Sequence, residues 1–370
     1  MLQPINLVFP EDLLKLPKSL LEEACVICGI PNDTPDVSLA EAVFDTLRNG
    51  EEEVKNKVFE HIKDKIFASR RAITWHRLPE HARELDIVTA MRERLGINPF
   101  ERIIERNPDN LGATAQIVGA CQYGEGRRYL LRYLVKVRVQ RTFGLQFSTR
   151  TIGGLVSALL DLENCILEIR DDPKYVPRIL REIAQLFDGT SREAIDSFRI
   201  ADLIEPFGGK IGDMADALGG NLISFESRPE LFFEGELTEE QISAISNVLI
   251  GINNYFENQD IECLINVLNE SIDTLSVFEG VPFLAILLAG MEKLGLSVKE
   301  LADVRSLPLL NALRPHLQYQ GGFIRFPVNE NGVVEYHTIR VGLQTNSISF
   351  RTFATEQAID LLRKKILLEN

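Results

Sequence analysis

Residues 127–142 read RRYLLRYLVKVRVQRT. Successive side chains of a strand point to opposite faces. One face then carries Tyr129, Leu131, Tyr133, Val135, Val137 and Val139. The other carries Arg128, Leu130, Arg132, Leu134, Lys136, Arg138 and Gln140. So long an alternation demands a strand with an apolar face turned inward and a cationic face turned away from it. Gly124-Glu125-Gly126 supplies a turn from an earlier strand over 113–123.

The flanking sequence changes period. In 17–28, Leu20, Leu21, Ala24, Cys25 and Cys28 form one helical stripe, with Pro17 at the start and Gly29 at the stop. Ser38-x-x-Glu41 is a capping box for a second helix. Val54, Val58, Ile62 and Ile66 mark a third over 51–68. Residues 71–78 are β-like, 80–95 read as one helix, and a short helix is expected after Thr151. A strand over 164–170 precedes a helix to about 187. The C-terminus repeats strand, turn, strand, strand, helix over 322–368. A duplication and a common arrangement both produce that order. Thr238-x-x-Gln241 and Ser297-x-x-Glu300 are capping boxes in a mostly helical 237–317, which also contains an apolar, buried-helix stretch at 281–291.

The expected fold is therefore α+β, with two β-hairpin-plus-strand-plus-helix units, mainly antiparallel sheets and a helical insertion. The expected domains are a helical module (1–68), a basic α+β domain (69–190), an acidic, mostly helical region (191–320) and a C-terminal α+β unit (321–370).

Charge adds a functional expectation. The 370-residue chain has a net charge of −14, but residues 54–150 carry 19 basic and 10 acidic residues, a net +9. Residues 1–53 stand at −8 and 151–370 at −15. A basic module in an acidic chain points to an acidic partner, nucleic acid above all. It also fits a module that docks on the acidic part of its own chain. The expected nucleic-acid contacts are Arg128, Arg132, Lys136, Arg138 and Arg141 on the cationic face, with Arg77 beside them and Trp75 as a stacking platform. The expectation is a non-enzymatic, regulatory DNA- or RNA-binding protein whose acidic C-terminal half meets another protein. A homo-oligomer is among its expected assemblies. A protein–protein subunit with no nucleic-acid role is one alternative, and a metal-dependent nuclease is another.

Other chemistries find less support. Cys25-x-x-Cys28 lacks a second ligand pair, and the five histidines do not cluster, so no metal and no cofactor are expected. No P-loop and no G-x-S-x-G elbow occurs. Asp161 and Glu168-x-Arg170 resemble in outline the carboxylate set of metal-dependent nucleases. Arg there cannot release a proton as Lys does. Five scattered cysteines suit a reducing cytoplasm. The N-terminus lacks the charged start of a signal peptide, and the 281–291 stretch is too short to span a bilayer, so no membrane partner is expected.

Overall fold

The apolar spacings of the first 66 residues become short packed helices: α1 (Pro10–Leu14), α2 (Lys18–Ile27), α3 (Asp36–Asn49) and α4 (Glu52–Ile66). Gly29 stops α2 with φ +72°, where a side chain would be strained. The computed structural model describes residues 1–30, 36–68, 71–143, 147–187, 195–229, 237–278, 283–288, 294–298, 302–314, 317–330 and 332–369.

By compactness the chain divides into a larger unit, Met1–Ile223 with Gly321–Asn370, and a smaller one, Ser224–Gln320. The larger unit is built on β1 (Ala72–Arg77), β2 (Gln116–Gln122), β3 (Arg128–Phe143), β4 (Phe147–Asp161) and β5 (Ile166–Arg170). Helices α5 (Ile87–Leu95) and α6 (Val176–Ala184) accompany them, followed by β6 (Asp196–Ser197), α7 (Ile200–Ile204) and α8 (Ile211–Ala217). β7 (Asn221–Pro229) leads into the smaller unit, where α9 (Glu239–Asn258), α10 (Ile261–Leu275), α11 (Phe283–Leu288), β8 (Leu294–Ser297) and α12 (Pro308–Leu313) follow. β9 (Leu317–Glu330) returns to the larger unit, which ends with β10 (Val333–Gly342), β11 (Ile348–Phe350) and α13 (Glu356–Arg363).

The strand order in the larger unit is β2-β3-β4-β5-β1-β11-β10-β9, with β6 on β1. These pairs are antiparallel, and the α+β class holds. Two cores lie against the β2–β5 strands. Leu131, Tyr133 and Val135 of β3 pack with Ile87 and Met91 of α5 and with Ile179 and Ile183 of α6. Leu130, Leu159 and Cys121 pack with the N-terminal helices, including Leu21, Val43 and Ile62. Both faces of β3 are thus covered over its first half. The smaller unit pairs β7 with β8 and joins α9 to α10 in a hairpin, with a small core of Ile245, Phe278 and Ile286.

Two local expectations need correction. The segment after Thr151 is strand β4 instead of a helix. Val156, Ser157, Ala158, Leu159 and Leu160 are all buried, so both faces are apolar and the two-residue period disappears from the sequence. The single helix over 80–95 is a 3-10 turn at Glu80–Glu84 followed by α5, which Asp86 starts by accepting from the N–H groups of Val88 and Thr89. Leu231, Phe232 and Phe233, together with Glu300, lie outside the described residues. Among the described residues, no helix is long and apolar enough to cross a membrane.

Candidate nucleic-acid interface

β3 and β4 outrun their neighbours. β2 pairs with β3 only as far as Leu134, and β5 pairs with β4 only from Ser157. From Val135↔Gly154 outward to Phe143↔Phe147 the two strands pair with each other alone, among the described residues. The result is a two-stranded arm. Its sequence, 135–154, holds Lys136, Arg138, Arg141 and Arg150 and no Asp or Glu.

A bulge sits at the base of the arm. The register shifts by one between Lys136, opposite Gly153, and Arg138, opposite Ile152. Adjacent residues of β4 point to opposite faces, so Lys136 and Arg138 also part company. Lys136 and Arg141 fall on one face, and Arg138 and Arg150 on the other. Val137 and Val139 are 41% and 40% exposed, as the end of the covered region requires.

The expected site residues therefore separate. Arg138 and Arg141 are exposed on the arm, and half-buried Lys136 stands at its base, where its carbonyl accepts from Arg178 Nη1 at 2.8 Å. None of these three has an ion-pair partner among the described residues, and neither does exposed Arg150. Arg128 lies at the far end of β3, paired with Asp161 at 3.3 Å and Asp360 at 3.6 Å. Arg77 is exposed on β1, away from the arm, with its guanidinium 5.1 Å from the Phe198 ring centroid. Arg132 and Trp75 are corrected from surface to interior. Arg132 is 0% exposed, bonded to both Asp12 oxygens at 2.7 and 2.6 Å and to Ser157 Oγ, with the Phe9 and Phe67 rings over it. Asp12 reaches it because α1 crosses that face of the sheet. Trp75 is 1% exposed, and its Nε1 donates to Glu168 at 2.8 Å.

Phe147, at the start of β4, is 85% exposed and offers on the arm the aromatic face that the sequence assigned to Trp75. Sequence reasoning missed it because Phe147 fell in a stretch with no recognised element. Pairing of 147–161 with the cationic strand was the signal needed to find it.

The nuclease-like set is not assembled. Glu168 is 1% exposed and accepts from Trp75, from Arg170 Nε at 2.6 Å and from Arg363 Nε at 2.9 Å. Burial alone would push its carboxyl up, but Arg363 and Arg170 outweigh it and hold it at about 2. Arg170 is in turn clamped by Glu356, and Asp161 is bonded to Arg128 and Asn164. Elsewhere, Glu330, Glu335 and His337 bring ligand atoms within 4.8 Å of one another on the β9–β10 hairpin. His337 Nε2 lies 2.8 Å from Glu330, Thr355 donates to Glu330 and Lys65 lies 3.8 Å from Glu335, while His337 Nδ1 is buried without a hydrogen-bond partner.

No protein-family model matches the chain, and neither a curated protein nor a solved structure is significantly similar to it.

Proposed function

We propose that this is a non-enzymatic nucleic-acid-binding protein that contacts phosphates through the β3–β4 arm. The observation that carries the reading is the arm itself. Four cations stand on a ribbon whose own sequence holds no carboxylate: Lys136 is half-buried at its base beside the core residue Val135, Arg138, Arg141 and Arg150 are exposed beyond it, and Asp109 accepts from the Thr151 N–H at 3.0 Å. A charged side chain that is neither paired nor packed is free to release counterions from a phosphate backbone. Phe147 adds a stacking surface that tolerates any base. A two-stranded ribbon is also narrow enough for a DNA major groove. The acidic, mostly helical part of the chain is left to protein contacts. The five free cysteines suit a reducing compartment such as the cytoplasm.

Fluorescence anisotropy with labelled single- and double-stranded DNA and RNA, across a salt series, tests this. Four phosphate contacts give a slope of log K against log salt of about −3.6 on duplex DNA and about −2.8 on single strands. Arg138→Glu, Arg141→Glu and Arg150→Glu together should abolish binding, whereas Arg77→Glu should leave it nearly intact. No binding at 50 mM salt, or equal binding by the triple variant, refutes the proposal.

A further inference from the structure

At the C-terminal end of α5, between that helix, α6 and the start of β2, the larger unit holds a cavity of about 220 Å³. Tyr133 of β3, opposite Ile117 of β2, lines it from the sheet. The Tyr133 ring packs in the core with Ile87 and Ile179, and the residue is only 3% exposed. Its hydroxyl nevertheless has no hydrogen-bond partner among the described residues. A buried phenol ordinarily finds one. Burial first, and Glu182 second, push the phenol's pKa above its usual value, with Arg94 opposing them. Glu182 and Arg94 both line the cavity. The fold therefore leaves a neutral, unused donor at the cavity wall.

Arg106 supplies the charge. The chain ahead of β2 runs alongside that strand, with the Ile104 N–H on the Val118 carbonyl at 2.7 Å. Arg106 Nε then donates to the Ile117 carbonyl at 3.1 Å, which anchors the guanidinium at the cavity. Its Nη1 and Nη2 have no partner among the described residues. Two N–H donors in a rigid fork match the two oxygens of a carboxylate. The other two charges on the wall cancel, because Arg94 donates to Glu182 Oε2 at 2.7 Å and to the Glu182 carbonyl at 2.6 Å. One positive charge remains, which favours a monoanion. The rest of the wall is largely apolar and includes Met91, Leu95 and Leu186. At 220 Å³ the cavity falls below the ~300–1,000 Å³ of drug-sized sites, so its occupant is a short molecule and not a nucleotide.

We propose that this cavity binds a small carboxylate with an apolar tail. The Arg106 fork and the Tyr133 hydroxyl hold the anion, and the tail lies against Met91, Leu95 and Leu186. Arg94 serves by neutralising Glu182, which would otherwise repel the ligand. The site is separate from the β3–β4 arm and independent of nucleic-acid binding.

Saturation-transfer difference NMR on the full chain, titrated separately with benzoate, hexanoate and acetate, tests it. Benzamide serves as the neutral counterpart of benzoate, and inorganic phosphate as an anion without a tail. Benzoate or hexanoate is expected to bind with a Kd of about 1 mM or less. Acetate, benzamide and phosphate should each bind at least about tenfold more weakly, since each lacks either the tail or the carboxylate. Tyr133→Phe removes one oxygen from a packed ring and should weaken benzoate about tenfold, the worth of a hydrogen bond to a charged group. Arg106→Gln should abolish binding. Failure of all three carboxylates to bind at about 20 mM overturns the proposal. So does benzamide or phosphate binding as well as benzoate, or unchanged affinity in a folded Tyr133→Phe variant.

Discussion

Arg132 and Arg138 are the same residue type on one strand, and only their neighbours distinguish them. Arg132 has lost its water and gained Asp12, which also receives Arg71 at 3.3 Å. Removing one partner of a buried pair strands the other charge, at a cost of about 3–5 kcal/mol. Asp12→Ala should therefore lower the urea midpoint steeply, while Arg138→Ala should stay within about 0.5 kcal/mol of wild type. Equal midpoints for the two variants would mean that Arg132 is not held as described. His76 provides a pH test. It lies buried between Ser197, 2.9 Å from Nδ1, and Thr74, 3.1 Å from Nε2, and burial lowers its pKa from 6.5 to about 4. Below pH 6.5 the unfolded chain binds a proton that the folded chain refuses until about pH 4. Stability contributed by this group is thus intact above 6.5 and lost as pH falls. Between pH 7 and 5 the loss is about 2 kcal/mol. His76→Gln should flatten the slope of stability against pH over that interval. An identical slope in the variant would rule out the buried neutral imidazole.

A strand announces itself only where its two faces differ. β3 was legible because Tyr129, Leu131, Tyr133 and Val135 alternate with charged and mixed neighbours, and the helical stripes of 17–28 and 54–66 were legible for the same reason. β4 was not, because two cores cover it and erase the alternation. The bulge at Val137 left no mark either, although it turns Arg138 away from Lys136. Nor does local pattern tell which element covers a face. The carboxylate that neutralises Arg132 lies 120 residues away. So the fold class and the cationic strand were readable, while the part of that strand reaching solvent depended on tertiary pairing. The arm is accordingly a separable element. Isolated two-stranded ribbons add little stability, and none of the described side chains of 138–151 belongs to either core. Replacing 138–151 by an Asn-Gly turn should change the urea midpoint by no more than about 1 kcal/mol and eliminate nucleic-acid binding. A chain that unfolds on this replacement would show the arm to be structural.

Across the whole molecule, charge follows the division into units. Residues 224–320 hold 5 Lys or Arg and 15 Asp or Glu, a net −10, which leaves −4 on the remainder of the −14 chain. Net negative charge opposes approach to a polyanion, whatever one cationic arm does locally. Both cores around the arm are made of residues from the larger unit alone. Gly220 approaches Arg325 and Phe326 so closely that a Cβ would overlap them, so the chain leaves and re-enters that unit at neighbouring places. A short Gly-Ser linker in place of 224–320 should therefore give a folded protein. It should bind nucleic acid several-fold more tightly than the intact chain at 50 mM salt, because the repulsion of ten net charges is gone. At 0.5 M salt the Debye length shrinks to about 4 Å, and the two affinities should converge. If the shortened protein is folded yet binds more weakly at low salt, residues 224–320 contribute contacts of their own, and the arm is not sufficient for binding.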